Sequence, residues 1–254
     1  MVLVLRLILL KSVPEFITAL RGFIRSRVAY DGDRINPMPK LPIFPLNIVL
    51  FPGYKLPLRI FEPRYKQMLN DCMLADGRFV IALIRDGVEV GGEATPRAIG
   101  TIAKIGEVSD RSADVIPVTA HGEQRVRIGD LDRSLPYLMA DIEPMGEPEI
   151  AEIDPDLLHR ARNATARFAR AMLMQFRGEW RANPDMPDDP GDLGYRMGTL
   201  LADRPTSAQR VLEAKTLNER LSLATPAVDD SSARFEAALL KKIANDHRRG
   251  MQRN

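Results

Sequence analysis

Three prolines fall within thirteen mostly apolar residues, LPIFPLNIVLFPG from Leu41 to Gly53, and they set the tightest local constraint on how this chain folds. Proline has no N–H to give to a ladder, so within sheets it is confined to edges, strand starts and bulges. Pro42, Pro45 and Pro52 therefore argue against an ordinary central strand. Ile43, Ile48, Val49, Leu50 and Phe51 nevertheless suit a buried pleated surface. The segment reads as an edge strand that enters the core, bends near Asn47 and stops at a Pro52-Gly53 turn.

The chain keeps this extended character as far as Met145, with one interruption. Pro57 to Ile60 is a second short extended piece. From Glu62, EPRYKQMLNDCMLADG puts Tyr65, Met68, Leu69, Cys72 and Met73 on one helical face, with Pro63 in the first turn and Gly77 past the end. FVIALIRDG from Phe79 reads as a buried strand ending in an Asp86-Gly87 turn, and VEVGGEATPRAIG as a polar, glycine-rich connection. GTIAKIGEVSD from Gly100 alternates apolar and polar; DVIPVTA and EQRVRIGDL pair across a turn at His121-Gly122, and PYLMADIEPM adds a strand. Residues 41–145 are thus mostly short antiparallel strands with one helix, close enough together to curl into a small barrel.

Beyond Met145 the period of two is lost. GEPEIAEIDPD is acidic and proline-bearing, a linker. Leu157, Leu158, Ala161, Ala164, Phe168, Met172 and Phe176 then recur at helical spacing as far as Trp180. ANPDMPDDPGD breaks the chain, Leu193 to Leu201 reads as a second helix, and TSAQRVLEAKTLNERLSL follows, capped by Thr206 or Ser207. A last helix around Phe235, Leu239 and Ile243 ends in His247, Arg248 and Arg249, where cations suit the dipole. The expected organisation is an N-terminal extension over 1–37, a barrel over 38–148, a helical bundle over 149–225, and a C-terminal helix with a basic tail over 226–254. In the extension, MVLVLRLILL is interrupted by Arg6 and is too short for a spanning helix. It reads either as a basic amphipathic helix or as a segment outside the folded part, with Met38 as an alternative start.

Composition narrows the function. The net charge is +2, with 45% apolar and 28% charged residues, so no global field points at nucleic acid or membrane. One cysteine excludes an internal disulfide, and three scattered histidines offer no zinc spacing. A cytoplasmic protein without metal or cofactor is expected. The sequence has no GxxxxGKS/T phosphate cradle and no G-x-S-x-G elbow, and His121, His159 and His247 are isolated from one another. Asp154, Asp156, Asp185, Asp188, Asp189 and Asp192 lie in linkers and near helix starts, where aspartate caps and solvates. No catalytic or metal-binding residue is expected.

The stretch LPIFPLNIVLFPGYKLPLRIFEPRYKQML resembles the start of the Lon substrate-binding domain, the amino-terminal domain of the ATP-dependent Lon proteases. VEVGGE at Val88, GTIAKI at Gly100, GEQRVRI at Gly122 and QRVLEAKTLNERL at Gln209 continue the resemblance, which spans Leu41 to Leu223. It implies an α+β fold, a PUA-like antiparallel pseudo-β-barrel with one helix, followed by an α-helical bundle. It also implies a non-catalytic polypeptide-binding module whose partners are unfolded or extended polypeptides. Such a module acts alone, as an adaptor, or with a full-length Lon or another protease; its oligomeric state is open.

Phe44, Leu46, Phe51, Tyr54, Leu56, Phe61 and Tyr65 supply more apolar bulk than a small barrel needs, so each either packs in the core or lines a groove. Glu62 and Arg64 flank Pro63 as an internal ion pair or as a clamp on a backbone. Arg125 and Arg127 alternate on one strand face, either solvated or touching a ligand. The candidate polypeptide-binding residues are Phe44, Phe51, Tyr54, Phe61, Tyr65 and Arg125. A second reading follows the PUA-like likeness to RNA-binding domains, with Arg125 and Arg248 on phosphates; the near-neutral charge argues against it.

Overall fold

The strand that carries the first two prolines is no edge. In a computed structural model that describes residues 39–109, 114–147, 153–177 and 184–251, with backbone alone at 175–177 and 242–251, β1 (Lys40–Leu46) has partners on both sides. Lys40–Ile43 pairs antiparallel with β7 (Leu138–Pro144), and Ile43–Leu46 pairs parallel with β3 (Arg78–Gly87). Between these lie β5 (Ile99–Val108) and β6 (Ile116–Asp132), so the parallel pair closes the order β1-β7-β6-β5-β3 into a ring. Two short strands hang on it: β2 (Lys55–Ile60) on β6 and β4 (Ala94–Pro96) on β3. The expectations for residues 1–37 lie outside the described residues.

Pro42 and Pro45 are tolerated because β1 changes partner between them. Backbone groups alternate along a strand, so two prolines three residues apart aim their missing donors to opposite sides. At Pro42 the β3 side is unpaired, and at Pro45 the β7 side is unpaired. Each imino nitrogen thus has an open half-edge to face, and neither ladder loses a bond.

Alternation also builds two cores. Ile43, Val80, Ala82, Ile102, Val126, Ile128, Ala140 and Ile142 form one cluster inside the ring. Phe44, Leu46, Phe79, Ile81, Ala103, Ile116, Val118 and Ala120, on the opposite faces of the same strands, form a second with Tyr65, Met68, Leu69 and Cys72 of α1 (Pro63–Leu74). β3 is therefore buried on both faces, which is why FVIALI is apolar without interruption. α1 is the expected helix: Pro63 occupies its first turn, and Gly77, at φ +75°, donates its N–H to the Cys72 carbonyl at 2.8 Å.

No turn occurs at His121-Gly122; β6 runs through both residues. Gly122 instead receives the Pro52-Gly53 turn. Gly53 donates to the Gly122 carbonyl and Gly122 donates to the Tyr54 carbonyl, both at 2.8 Å. A Cβ on Gly122 would lie 2.3 Å from the Phe51 carbonyl oxygen. The glycine marks a close approach of two backbones, which sequence alone does not distinguish from a reversal.

The chain divides into two compact units, 1–147 and 148–254, and the elements of the second, among its described residues, are helices. It comprises α2 (Pro155–Arg177), α3 (Pro190–Thr199), α4 (Pro205–Glu213) and α5 (Leu217–Met251). α4 stops at Glu213, splitting the expected third helix, and α5 continues through Pro226, where the sequence suggests a boundary. Around that proline, Thr225 donates to the Leu221 carbonyl at 2.7 Å, and Arg204 reaches the Ala227 carbonyl at 3.2 Å and Asp230 at 2.7 Å. Neither Thr206 nor Ser207 caps α4, which starts at Pro205 without a side-chain cap; Asp189 caps α3 by accepting from the Asp192 N–H at 2.9 Å. The guanidinium of fully buried Arg220 stacks 4.0 Å from the Tyr195 ring centre.

Replacing Gly122 by alanine forces the 51–54 turn off β6. We expect Gly122→Ala to lower unfolding stability by about 1–3 kcal/mol, read as a drop in the urea midpoint. Gly146→Ala, where a Cβ meets nothing within 4 Å, serves as the neutral control. Equal midpoints for the two variants would show that the close approach is unimportant.

Candidate functional site

Four of the six residues expected to touch a polypeptide are inside the protein. Phe51 is fully buried, and Phe44 and Tyr65 pack in the cluster under α1 with ring centres 4.2 Å apart. Arg125 is 2% exposed; its guanidinium donates to the Gly146 carbonyl at 2.9 Å, while its own carbonyl accepts from Met145 N–H. The correction has one cause: with both faces of the central strands buried, the apolar surplus and the strand arginine are consumed by packing. Arg127, on the facing register to Glu143, pairs with it at 3.4 Å. Tyr54 is half-buried against the same cluster, and Phe61 is 48% exposed.

Phe61 stands beside a polar staple. Glu62 and Arg64 form an ion pair at 3.0 Å, and both also reach the loop after β3. The Glu62 carboxylate accepts from Gly91 N–H at 3.1 Å, Arg64 Nη1 donates to the Gly92 carbonyl at 2.8 Å, and Asn47 donates to Glu89 at 2.9 Å. Arg64 also lies 4.6 Å from the Tyr65 ring centre. The pair is at once an internal ion pair and a backbone clamp, and the backbone it clamps is the protein's own.

The staple fixes a loop that presents apolar side chains to solvent. Val88 is 48% and Val90 40% exposed. Phe61 precedes Glu62 and Val90 precedes Gly91, so the Glu62–Gly91 hydrogen bond ties the residue after Phe61 to the residue after Val90. The sequence reading missed the valines because VEVGGE was weighed as a polar connection. Its signal was two valines among glycines in a segment with no strand or helix period to bury them.

On the solvent face of the neighbouring strands the register lines up Lys55, His121, Lys104 and Arg78, directly opposite one another across β2, β6, β5 and β3. Arg78 is balanced by Glu123 at 2.9 Å and Asp76 at 3.4 Å, and Lys104 Nζ donates to the Asp76 carbonyl. The His121 imidazole titrates below its ordinary value, first because burial disfavours its charged form and then because Lys55 repels it; Glu107 and Glu123 oppose this. Elsewhere, burial pushes the Cys72 thiol up to about 12, with Asp71 and Asp76 adding to the effect, so it is no nucleophile at neutral pH. Burial and its hydrogen bond to Asp71 at 2.7 Å hold Tyr137 protonated.

A model of the ATP-dependent protease La (LON) substrate-binding domain matches residues 40–230. The chain belongs to that family. It is 23% identical over 199 residues to a Lon protease of Syntrophus aciditrophicus, covering 75% of this chain and 25% of that one. The Lon-family chain thus spans about a quarter of the length of the curated relatives it matches. Its fold is similar to the crystal structure of a Lon N-terminal domain protein from Xanthomonas campestris, with a TM-score of 0.55, 24% identity and coverage of 72% and 95% of the two chains. It is also similar to the N-terminal domain of a Mycobacterium avium complex Lon protease, with a TM-score of 0.56, 18% identity and coverage of 76% and 99%. The matched region is the substrate-binding part of Lon. Among the described residues, no helix is long and apolar enough to cross a membrane.

His121 gives a pH signature. Its folded-state value lies below the unfolded one of about 6.5, so acid favours the unfolded chain, which binds the proton more readily. The contribution is present above the unfolded value and is lost as pH falls through the folded one. We expect the urea midpoint to drop between neutral and mildly acidic pH, and His121→Gln to flatten that part of the profile. An unchanged profile in the variant would assign the acid sensitivity elsewhere.

Proposed function

We propose that this protein is a non-catalytic polypeptide-binding module whose contact surface is the platform of Phe61, Val88 and Val90. The observation that carries the reading is the polar staple: Asn47, Glu62 and Arg64 hold in place a loop whose valines face water. Apolar surface left in water forfeits about 25 cal/mol per Å², so a loop fixed in that state is suited to a partner that covers it. Unfolded chains expose the apolar side chains that do so. Membership of the Lon substrate-binding domain family supports the same ligand class, and the module acts alone, as an adaptor, or beside a Lon or other protease.

The RNA reading loses its main contact. Arg125 is buried, and Arg127, though exposed, already faces the Glu143 carboxylate, so the strand offers phosphates one partnered cation in place of two free ones. The side chain of Arg248 lies outside the described residues.

Fluorescence anisotropy of a labelled, permanently unfolded polypeptide tests the proposal. We expect binding that persists at moderate salt, because apolar burial drives it, and a loss of about tenfold in Phe61→Ser/Val90→Ser with an unchanged melting temperature. Phe51→Ala should instead cost about 3–5 kcal/mol of stability. Absence of polypeptide binding, or binding indifferent to Phe61 and Val90, would overturn the reading.

A further inference from the structure

We propose that the bound polypeptide docks as an added strand on the free edge of β2 and is selected for carboxylates facing Lys55 and Arg59, an inference that rests on the polypeptide-binding reading above. The direction of β2's backbone groups follows from its register. Gly122 donates to the Tyr54 carbonyl, so on β2 every second residue from Tyr54 turns its backbone toward β6: Leu56, Leu58 and Ile60, opposite Ala120, Val118 and Ile116. Lys55, Pro57 and Arg59 turn theirs the other way. Among the described residues no strand pairs with that side.

Pro57 falls in the outward set, where its missing N–H costs β6 nothing. The outward edge therefore offers the carbonyls of Lys55, Pro57 and Arg59 but the N–H groups of Lys55 and Arg59 alone. This is an edge blunted at its middle against indiscriminate pairing and still open at both ends. An extended peptide that tolerates one unmatched carbonyl opposite Pro57 fits it, as in recognition by strand addition.

Side chains supply the selectivity. Leu56, Leu58 and Ile60 face the cluster under α1, which leaves Lys55, Pro57 and Arg59 on the solvent face. Lys55 and Arg59 are exposed and form no ion pair with any described residue. β2 then runs straight into Phe61, so a strand added along it passes two cations and ends at the Phe61–Val90 platform. The complementary occupant is extended, carries carboxylates on its solvent-facing side, and ends in an apolar side chain. A basic segment would instead meet Lys55 and Arg59 with Lys104 and Arg78 in line behind them. Nucleic acid would answer the cations but has no peptide groups for the edge.

The test uses the synthetic peptide Leu-Thr-Glu-Thr-Thr-Thr-Glu, labelled at one end, and its Glu-to-Lys counterpart, with anisotropy as the readout. We expect the acidic peptide to bind about fivefold more tightly at low salt, and Lys55→Glu/Arg59→Glu to reverse the order. Backbone N-methylation at one set of alternate residues of the acidic peptide should abolish binding, while methylation of the other set leaves it intact; this arm needs no protein variant. Equal loss from both methylated sets, no charge preference, or tighter binding of a single-stranded RNA lost in the charge-reversed protein would each overturn the inference. If these peptides fail while the unfolded polypeptide still binds through Phe61 and Val90, strand addition falls and the platform stands. If the unfolded polypeptide also fails, the platform reading falls with it.

Discussion

The parallel contact between Ile43–Leu46 and Val80–Leu83 is the constraint on which the first unit depends. Every other pairing in the ring is antiparallel and joins β3, β5, β6, β7 and β1 in series. Without the parallel pair these strands form an open sheet with two long edges, and Ile43, Val80, Ala82 and Ile142 lose the enclosure that buries them. Closure also fixes the other face. Phe44 and Leu46 alternate with the ring-facing positions, so the same register that pairs Ile43 with Val80 sets Phe44 against Tyr65 and Phe79. One register thus places both cores, and α1 is seated by the second of them.

From that seat the candidate surface follows. α1 begins at Pro63, and the residues on either side of that proline reach the loop after β3. The staple therefore ties the start of a helix held by the core to a segment that has little core contact of its own. Arg64 is half-wrapped between Glu62, the Gly92 carbonyl and the Tyr65 ring, a set of contacts that outlasts any single exposed ion pair. Val88 and Val90 inherit their position from the barrel through this link, and Phe61 inherits its own directly from β2.

The elements of the barrel were legible in the sequence wherever a period and its punctuation agreed. Tyr65, Met68, Leu69 and Cys72 are buried as their spacing requires, between Pro63 and Gly77. The partners of β1 were not legible, because a proline-bearing strand with two half-edges and one with a single free edge have the same local sequence. Gly122 was misread for a similar reason: a glycine required by the Phe51 carbonyl above it looks like a glycine required by a turn. The site was less legible than the fold. Phe44, Phe51 and Tyr65 were candidates on size alone, and only the two-faced burial of β3 shows where that bulk goes. Phe61 was a candidate on the same ground of apolar bulk, and it stays exposed because it lies between the end of β2 and the start of α1, whereas Val88 and Val90 were hidden in a glycine-rich segment.

A stapled platform beside a partly blunted edge suits a ligand that has no fixed sequence. The ordering entropy of binding falls on the extended chain, while the loop and β2 are already in place and lose little. Apolar contact at Phe61, Val88 and Val90 is non-directional and accepts many side chains. The edge at Lys55 and Arg59 uses backbone groups, which every polypeptide has, and its two cations add only a screened bias. On the proposed reading, affinity and selectivity come from different parts of the same surface. In that reading Pro57 sets the balance between them: by removing one donor from the outward edge of β2 it weakens pairing through the backbone alone and favours a chain that also gains apolar contact at Phe61.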